Sequence, residues 1–149
     1  MTDDAATGFM VQVVIDSAEP HALADWWAKT LEWNVEPQDE SFIRKMIDEG
    51  HASEEETITW NGALVWRAGA AIVPPAGEGP GQPRILFQEV PEAKTVKNRI
   101  HLDVRAPGTD LDDLRSRLTE RGAVAVGEGR QGPHAWVTFA DPEGNEFCV

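Results

Sequence analysis

Residues 99–105 read Arg-Ile-His-Leu-Asp-Val-Arg, a stretch in which polar and apolar residues alternate without exception. Alternation with a period of two is the pattern of a β-strand that buries only one of its faces. The three apolar residues of this strand are therefore predicted to pack on a core. Its polar residues, among them His101 and Asp103, are predicted to share the opposite face.

A helix is predicted directly after this strand. Thr109 is a suitable N-cap, and acidic residues fill the following turn, where the helix dipole favours negative charge. Leu111, Leu114 and Leu118 give the helix an apolar face, and Gly122 ends it. Three short strands are predicted to follow, at residues 123–126, 134–140 and 145–149.

The same order of elements occurs earlier in the chain. Residues 10–16 are rich in β-branched residues and predict a strand, and Pro20 then stands at the first position of a helix. Leu23, Trp27 and Leu31 repeat every four residues and give that helix one apolar face. The other elements predicted here are a short strand at 33–35, a helix at 39–50, a hairpin at 57–66, a loop at 74–83 and a strand at 84–90.

The hairpin carries the strongest local signal in the chain. Asn61-Gly62 lies between two apolar, β-rich flanks, and this dipeptide is typical of a type I′ turn because both of its residues must adopt positive φ. Each half of the sequence thus contains a strand, a helix and about three further strands. Each unit leaves one sheet face uncovered, and two such units paired edge to edge would form one larger, curved sheet.

Composition limits the class of protein. The chain has 149 residues, a formal net charge of −13 and one cysteine, Cys148. This length suits one domain, and a single cysteine excludes an internal disulfide and fits a reducing, cytoplasmic compartment. No apolar stretch is long enough for a membrane span, and the negative charge argues against nucleic acid or an anionic membrane as a partner. It would suit a cationic small molecule as well as simple solubility.

Two further strands indicate that the uncovered faces line a cavity. Residues 84–90 alternate so that Arg84, Leu86, Gln88 and Val90 share one face, and residues 134–140 place His134, Trp136 and Thr138 together. A blend of aromatic, aliphatic and polar side chains is typical of ligand pockets. The alternative interpretation is a sheet face buried by a partner subunit in a homodimer.

The ordered motifs of the chain resemble the vicinal oxygen chelate superfamily, in particular its glyoxalase-like and bleomycin-resistance-like branch. The strand-bound turn Asp141-Pro142-Glu143-Gly144-Asn145 is the most specific of them. The motifs lie at residues 14–20, 26–27, 31–33, 84–88, 97–103 and 141–147. The resemblance implies an α+β fold in which two βαβββ modules, about 9–92 and 97–149, form an eight-stranded cupped mixed sheet with outer helices. The single domain would then span residues 1–149.

Metal-dependent members of this superfamily place one ligand on each of four strands. By resemblance, the corresponding residues are Gln12 on the first strand, Gln88 on the fourth (with Glu89 as the fallback), His101 on the fifth and Cys148 on the eighth. The chain departs from the family pattern because a cysteine stands where a carboxylate is expected. Gln12, Gln88 and His101 are neutral donors, so the set would hold a divalent ion weakly. The sequence therefore predicts no metal and no cofactor.

Other polar residues have alternative interpretations. His134 and Trp136 could hold a planar ligand by hydrogen bonding and stacking, or they could be a rim and a core residue. Asp103 could form an acid/base pair with His101, or a neighbouring arginine could neutralise it. His21 and His51 are interpreted as surface residues, and Glu54-Glu55-Glu56 as a solvated face.

Three functions remain open on these grounds. The preferred hypothesis is a glyoxalase-like protein that binds a small organic molecule in the cup without metal. Its predicted contact residues are Gln12, Gln88, His101, Asp103, His134, Trp136 and Cys148. The alternatives are a metal-dependent lyase, isomerase or dioxygenase with an atypical ligand set, and a non-catalytic protein whose exposed sheet serves dimerisation. The residues do not decide whether a reaction is catalysed.

Overall fold

The structure is a computed structural model that describes residues 8–75 and 83–149. The chain forms two compact units, Met1–Pro91 (unit 1) and Glu92–Val149 (unit 2). Most of the predicted loop at 74–83 lies outside the described residues. Within the described ranges, no helix combines the length and the apolar character that crossing a bilayer requires.

The described residues of unit 1 form two helices and six strands. In chain order these are β1 (Val13–Ser17), α1 (Pro20–Leu31), β2 (Asn34–Val35), α2 (Glu40–Asp48), a 3₁₀ turn (Glu54–Glu56), β3 (Thr57–Trp60), β4 (Ala63–Trp66), β5 (Gly69–Val73) and β6 (Ile85–Glu89). Unit 2 contains β7 (Leu102–Asp103), α3 (Leu111–Glu120), β8 (Val124–Gln131), β9 (His134–Ala140) and β10 (Glu146–Cys148).

The two units share one topology. The strand order is β1-β6-β5-β2 in unit 1 and β7-β10-β9-β8 in unit 2. In each sheet the first strand pairs in parallel with the last, and all other neighbours are antiparallel. This repeat confirms the α+β class and the two βαβββ modules. Hydrogen bonding arranges the eight strands as two four-stranded sheets.

Alternating burial fixes the two faces of each sheet. In unit 1, Ile85 and Phe87 of β6 are buried on the side of α1, which contributes Leu23 and Trp27, whereas Gln88 is exposed. In unit 2, Phe139 and Phe147 are buried with their ring centroids 5.8 Å apart, and Leu114 and Leu118 of α3 are buried as well. One face of each sheet is therefore packed, as the sequence pattern predicts.

Two strands differ in length from the prediction because the length of a strand depends on the neighbouring strand with which it pairs. The strand predicted at 99–105 is paired only at Leu102 and Asp103, since its partner β10 has just three residues. Ile100 is accordingly exposed, which contradicts its predicted core position. In contrast, β8 extends to Gln131 because the seven-residue β9 continues to pair with it through the turn at Gly132.

Two further features depart from the prediction. Asp110, not Thr109, caps α3, because its carboxylate accepts hydrogen bonds from the backbone N–H groups of Asp112 and Asp113. Strand β5 is not predicted by the sequence pattern, since it lies between β6 and β2 and every residue from Ala70 to Val73 is buried. Such a strand has no polar face and therefore no alternation to detect.

A segment of unit 1 lies outside the module pattern. Between β2 and β5 the chain forms α2, the 3₁₀ turn and a two-stranded sheet of β3 and β4, whereas the equivalent strands of unit 2 are joined by a short turn. We call residues 36–68 the insertion. Asn61 and Gly62 have φ values of 47° and 81°, which confirms the predicted type I′ hairpin.

Candidate functional site

The uncovered face of the unit 2 sheet carries a row of polar side chains. Cys148 on β10 is paired with Asp103 on β7 and with Thr138 on β9. Directly paired residues project from the same side of a sheet, so these three side chains are neighbours. The Thr138 hydroxyl oxygen lies 3.4 Å from the Cys148 sulfur, within hydrogen-bonding distance. The register alone thus brings together two of the predicted contact residues.

His101 joins this row from the residue just before β7. Its Nε2 atom lies 3.2 Å from Oδ1 of Asp103, as expected for two residues that are separated by one position on an extended chain. The ligand atoms of His101, Asp103 and Cys148 all lie within 4.8 Å of one another. The His101 and Asp103 side chains are 45% and 63% exposed, so a small molecule or an ion can reach the group.

Trp136 extends the same face along β9. It is paired with Gly129 on β8, and its indole ring occupies the space that a Cβ atom at position 129 would need. His134 follows two residues away at the exposed end of the strand. We call this side of the unit 2 sheet the polar-aromatic face. It carries His101, Asp103, Cys148, Thr138, Trp136 and His134.

The turn before β10 holds Cys148 in place. Asp141 is 3% exposed, and its Oδ1 atom accepts hydrogen bonds from the backbone N–H groups of Glu143 and Asn145, each at 2.9 Å. Gly144 adopts a φ of 92°, which a side chain would disfavour. The predicted Asp-Pro-Glu-Gly turn is therefore present, and its buried carboxylate determines where β10 begins.

Sequence reasoning missed Glu146, which lies two residues before Cys148 on the same side of β10. Its carboxylate pairs with the Lys94 ammonium at 2.9 Å and accepts a hydrogen bond from the backbone N–H of Asn98 at 3.1 Å. Burial by itself would raise the pKa of Glu146, but the hydrogen bonds from Lys94 and Asn98 outweigh it and lower that pKa. Polar and apolar residues alternate along Glu146-Phe147-Cys148, and this alternation could have identified Glu146 as a residue on the same face as Cys148.

Two of the predicted contact residues lie in unit 1. Gln12 immediately precedes β1, and its amide oxygen accepts a hydrogen bond from the Arg84 guanidinium. Arg84 also donates to both carboxylate oxygens of Glu36, at 2.9 and 2.8 Å. Gln88 lies on β6, is exposed and is paired with Asp16 of β1. Gln12 is therefore part of a network that links β1 to β6 and to the chain after β2.

The interpretation of His21 as a surface residue is wrong. This histidine is 5% exposed, and its Nε2 atom lies 2.7 Å from the carbonyl oxygen of Trp66, which accepts its hydrogen bond. Its ring centroid is 5.9 Å from that of Trp60. His51 is exposed, as predicted, and lies 3.8 Å from the Glu49 carboxylate. His21 therefore connects α1 to the β3–β4 hairpin.

The chain was compared with family models, curated protein sequences and solved structures. A family model described as a glyoxalase-like domain matches residues 12–149. No curated protein sequence matches significantly. Among solved structures, the fosfomycin resistance protein FosX of Listeria monocytogenes, crystallised with Mn(II), is 8% identical with a TM-score of 0.61, covering 95% of this chain and 89% of that one.

Two other solved structures have the same fold at low identity. The oxidase ChaP-H2 is 15% identical with a TM-score of 0.56, covering 96% of this chain and 92% of its own. FosX of Mesorhizobium loti is 10% identical with a TM-score of 0.55, covering 94% and 88%. At these identities the likeness extends to the fold alone.

Proposed function

Because the chain belongs to the glyoxalase-like domain family of the vicinal oxygen chelate superfamily, we propose that it binds a small organic molecule on its polar-aromatic face. A superfamily fold hosts many chemistries, so the proposal rests on the residues of the face rather than on the fold. The observation that carries it is the polar row of Asp103, Cys148 and Thr138. Beside this row, the indole ring of Trp136 lies over Gly129.

The arrangement suits a planar ligand with polar edges. An indole offers a broad apolar surface on which an aromatic ring can stack. Gly127, paired with Thr138 on the same face, has no atom within 4 Å of the place where a Cβ would stand. This open space adjoins the polar row, where Asp103 can accept hydrogen bonds and Thr138 can donate or accept them.

His101 and His134 would complete the recognition at the two ends of the face. His101 is held by Asp103 through Nε2, so its other ring nitrogen is directed elsewhere and can bond a ligand. His134 is exposed at the start of β9, on the same side as Trp136. Small-molecule sites typically combine one apolar surface with a few such polar groups.

Ligand titrations observed by NMR test this proposal. The indole N–H signal of Trp136, assigned by its loss in Trp136→Phe, should shift when a member of a planar heteroaromatic library binds. Trp136→Ala should weaken the binding of that compound about tenfold or more. Trp33→Phe, in unit 1, is the matched control and should leave the affinity unchanged. A compound that binds Trp136→Ala and the unaltered protein equally would contradict the proposal.

A metal centre at the same face is a second candidate, because the structure adds a carboxylate to the ligands that the sequence suggested. Asp103 stands beside His101 and Cys148, which gives one nitrogen, one oxygen and one sulfur donor. This set fits Zn²⁺, whose usual ligands are histidine, cysteine and carboxylate, better than an oxygen-seeking ion such as Mn²⁺. A bound Zn²⁺ would supply Lewis-acid chemistry.

Cobalt substitution distinguishes the two candidates. If His101, Asp103 and Cys148 hold a metal, Co²⁺ should give an intense near-ultraviolet sulfur-to-metal band that Cys148→Ser abolishes. Asp103→Asn should weaken the affinity for Zn²⁺ measured by calorimetry about tenfold to a hundredfold, because it removes an anionic ligand. Absence of the band and of any Zn²⁺ binding would eliminate this candidate and leave the metal-free proposal.

A further inference from the structure

The negative charge of the chain is concentrated in unit 1. Met1–Pro91 contains 16 of the 26 acidic residues but only five of the 13 basic ones. Five of these carboxylates lie in α2 and in the 3₁₀ turn of the insertion, and the run Glu54-Glu55-Glu56 is among them. The proposed ligand face in unit 2 therefore does not account for the acidic character of the chain.

The insertion contains a pocket of about 440 Å³, which we call the insertion pocket. It lies between α2, the start of the 3₁₀ turn and the β3–β4 hairpin. Its lining combines aliphatic side chains with threonines and charged groups. The lining residues are Arg44, Ile47, Asp48, Glu54, Thr57, Ile58, Thr59 and Leu64.

The charges around this pocket do not cancel. The Arg44 guanidinium donates to Oε1 of Glu40 at 3.0 Å, so its positive charge is matched by a carboxylate outside the lining. Within residues 8–75 and 83–149, the structure gives neither the Asp48 nor the Glu54 carboxylate a hydrogen-bond or ion-pair partner. The pocket therefore combines aliphatic and polar side chains with two carboxylates that no group in the described residues pairs with.

The insertion is not required to complete the sheet of unit 1. In unit 2 the same four-stranded order forms with only a short turn between the second and third strands. The insertion nevertheless has a defined structure, since Gln38 accepts a hydrogen bond from the backbone N–H of Trp66 at 2.8 Å and donates one to the carbonyl oxygen of Gly69 at 2.9 Å. The insertion is thus a structured addition to the four-stranded module, and it can carry a site of its own.

We propose that the insertion pocket binds a small organic cation, an amine or amidine that carries an apolar group. The apolar group would contact Ile47, Ile58 and Leu64, and the cationic nitrogen would pair with Asp48 and Glu54. The proposal is independent of the function proposed for unit 2. It gives the Glu54 carboxylate a binding role, whereas the interpretation of Glu54-Glu55-Glu56 as a solvated face gives it none.

A metal ion fits this pocket less well than an organic cation. Among the described residues, the group of potential metal ligands is His101, Asp103 and Cys148, and neither Asp48 nor Glu54 belongs to such a group. A hard metal ion needs several oxygen ligands at short range, whereas an amidinium can bond two separate carboxylates and bury its apolar part.

Benzamidine and its neutral analogue benzamide provide the test. Titrated into the ¹⁵N-labelled full-length protein, benzamidine should shift amide signals of α2 and of the β3–β4 hairpin, and benzamide should bind at least fivefold more weakly. The double variant Asp48→Asn/Glu54→Gln should also weaken the affinity for benzamidine fivefold or more. Glu55→Gln is the matched control, because Glu55 lies in the same turn but does not line the pocket.

Several results would overturn the proposal. Equal affinities for benzamidine and benzamide would show that charge plays no part in binding. Unchanged affinity in Asp48→Asn/Glu54→Gln, or an equal loss in Glu55→Gln, would show that these carboxylates do not form the site. Shifts confined to Trp136 and its neighbours would place the cation on the polar-aromatic face instead. Both carboxylates are exposed, so the variants should fold normally.

Discussion

The indole ring of Trp136 occupies the space beside Gly129 that any larger residue would fill with its Cβ atom. The two residues are directly paired across β8 and β9, so the ring lies over the neighbouring strand rather than standing clear of the sheet. A glycine on β8 is therefore what allows a tryptophan on β9 to form a platform on the polar-aromatic face.

Gly129→Ala should displace the indole ring and destabilise unit 2. The new methyl group would overlap the ring, and crowding of this kind typically costs about 1 to 3 kcal/mol. The free energy of unfolding in urea measures the cost, and the chemical shift of the Trp136 indole N–H reports the displacement. Any compound that stacks on Trp136 should lose affinity in the same variant.

Gly127→Ala is the control for that experiment, because a Cβ atom at position 127 meets nothing within 4 Å and the residue is on the same strand and face. Its unfolding free energy should stay within about 0.5 kcal/mol of the unaltered protein. Equal losses in the two variants would show that the ring of Trp136 does not lie across Gly129.

Asp141→Ala should disturb both stability and the position of Cys148. The buried Asp141 carboxylate accepts the backbone N–H groups of Glu143 and Asn145 and a side-chain hydrogen bond from Asn145 at 3.0 Å. Loss of several hydrogen bonds to a charged group should lower the unfolding free energy by about 3 kcal/mol. Asp141→Asn keeps one acceptor oxygen and should lose less. An unaffected Asp141→Ala variant would contradict the role assigned to this turn.

Features that depend on neighbouring residues could be predicted from the sequence. Pro20 begins α1, the Asn61-Gly62 turn closes the β3–β4 hairpin, and β9 spans residues 134–140 as predicted. Each depends on dihedral preferences or alternation within a few positions, which the sequence contains directly. The shared face of Cys148 and Asp103 also follows from strand alternation, given the order of strands in a βαβββ module.

Features that depend on distant partners could not be predicted in this way. The length of β7 is limited by β10, which lies more than 40 positions later in the chain. His21 is buried by the β3–β4 hairpin, and its hydrogen-bond partner Trp66 is 45 positions away. A histidine at the start of a helix has no local signal of such a contact.

His21→Ala should destabilise unit 1. The substitution removes the hydrogen bond to the Trp66 carbonyl oxygen and leaves a space beside Trp60. An unpaired buried carbonyl and a cavity together should lower the unfolding free energy by about 2 to 4 kcal/mol. His51→Ala is the control, since His51 is exposed, and its effect should stay within about 0.5 kcal/mol. Equal effects would mean that His21 does not join α1 to the hairpin.

The ion pair between Lys94 and Glu146 should make the stability of unit 2 dependent on pH. The pKa of Glu146 is lowered from its ordinary value of 4.5, so the folded protein binds this proton less readily than the unfolded chain. The resulting stabilisation is fully present above pH 4.5 and is lost as the pH falls through the lowered pKa of the folded state. Lys94→Met removes the strongest interaction that opposes burial, so the pKa of Glu146 should rise. Carboxyl-carbon NMR measures that pKa directly.

The same variant gives a stability test of this ion pair. At neutral pH Lys94→Met should reduce the unfolding free energy, because the mostly buried Glu146 carboxylate, with its side chain 15% exposed, loses its charged partner. At a pH below the lowered pKa of Glu146 the difference from the unaltered protein should shrink, since protonation of Glu146 removes the charge in both proteins. Urea unfolding with EDTA present excludes any effect of bound metal. A deficit of equal size at both pH values would mean that Lys94 stabilises unit 2 by packing rather than through the Glu146 carboxylate.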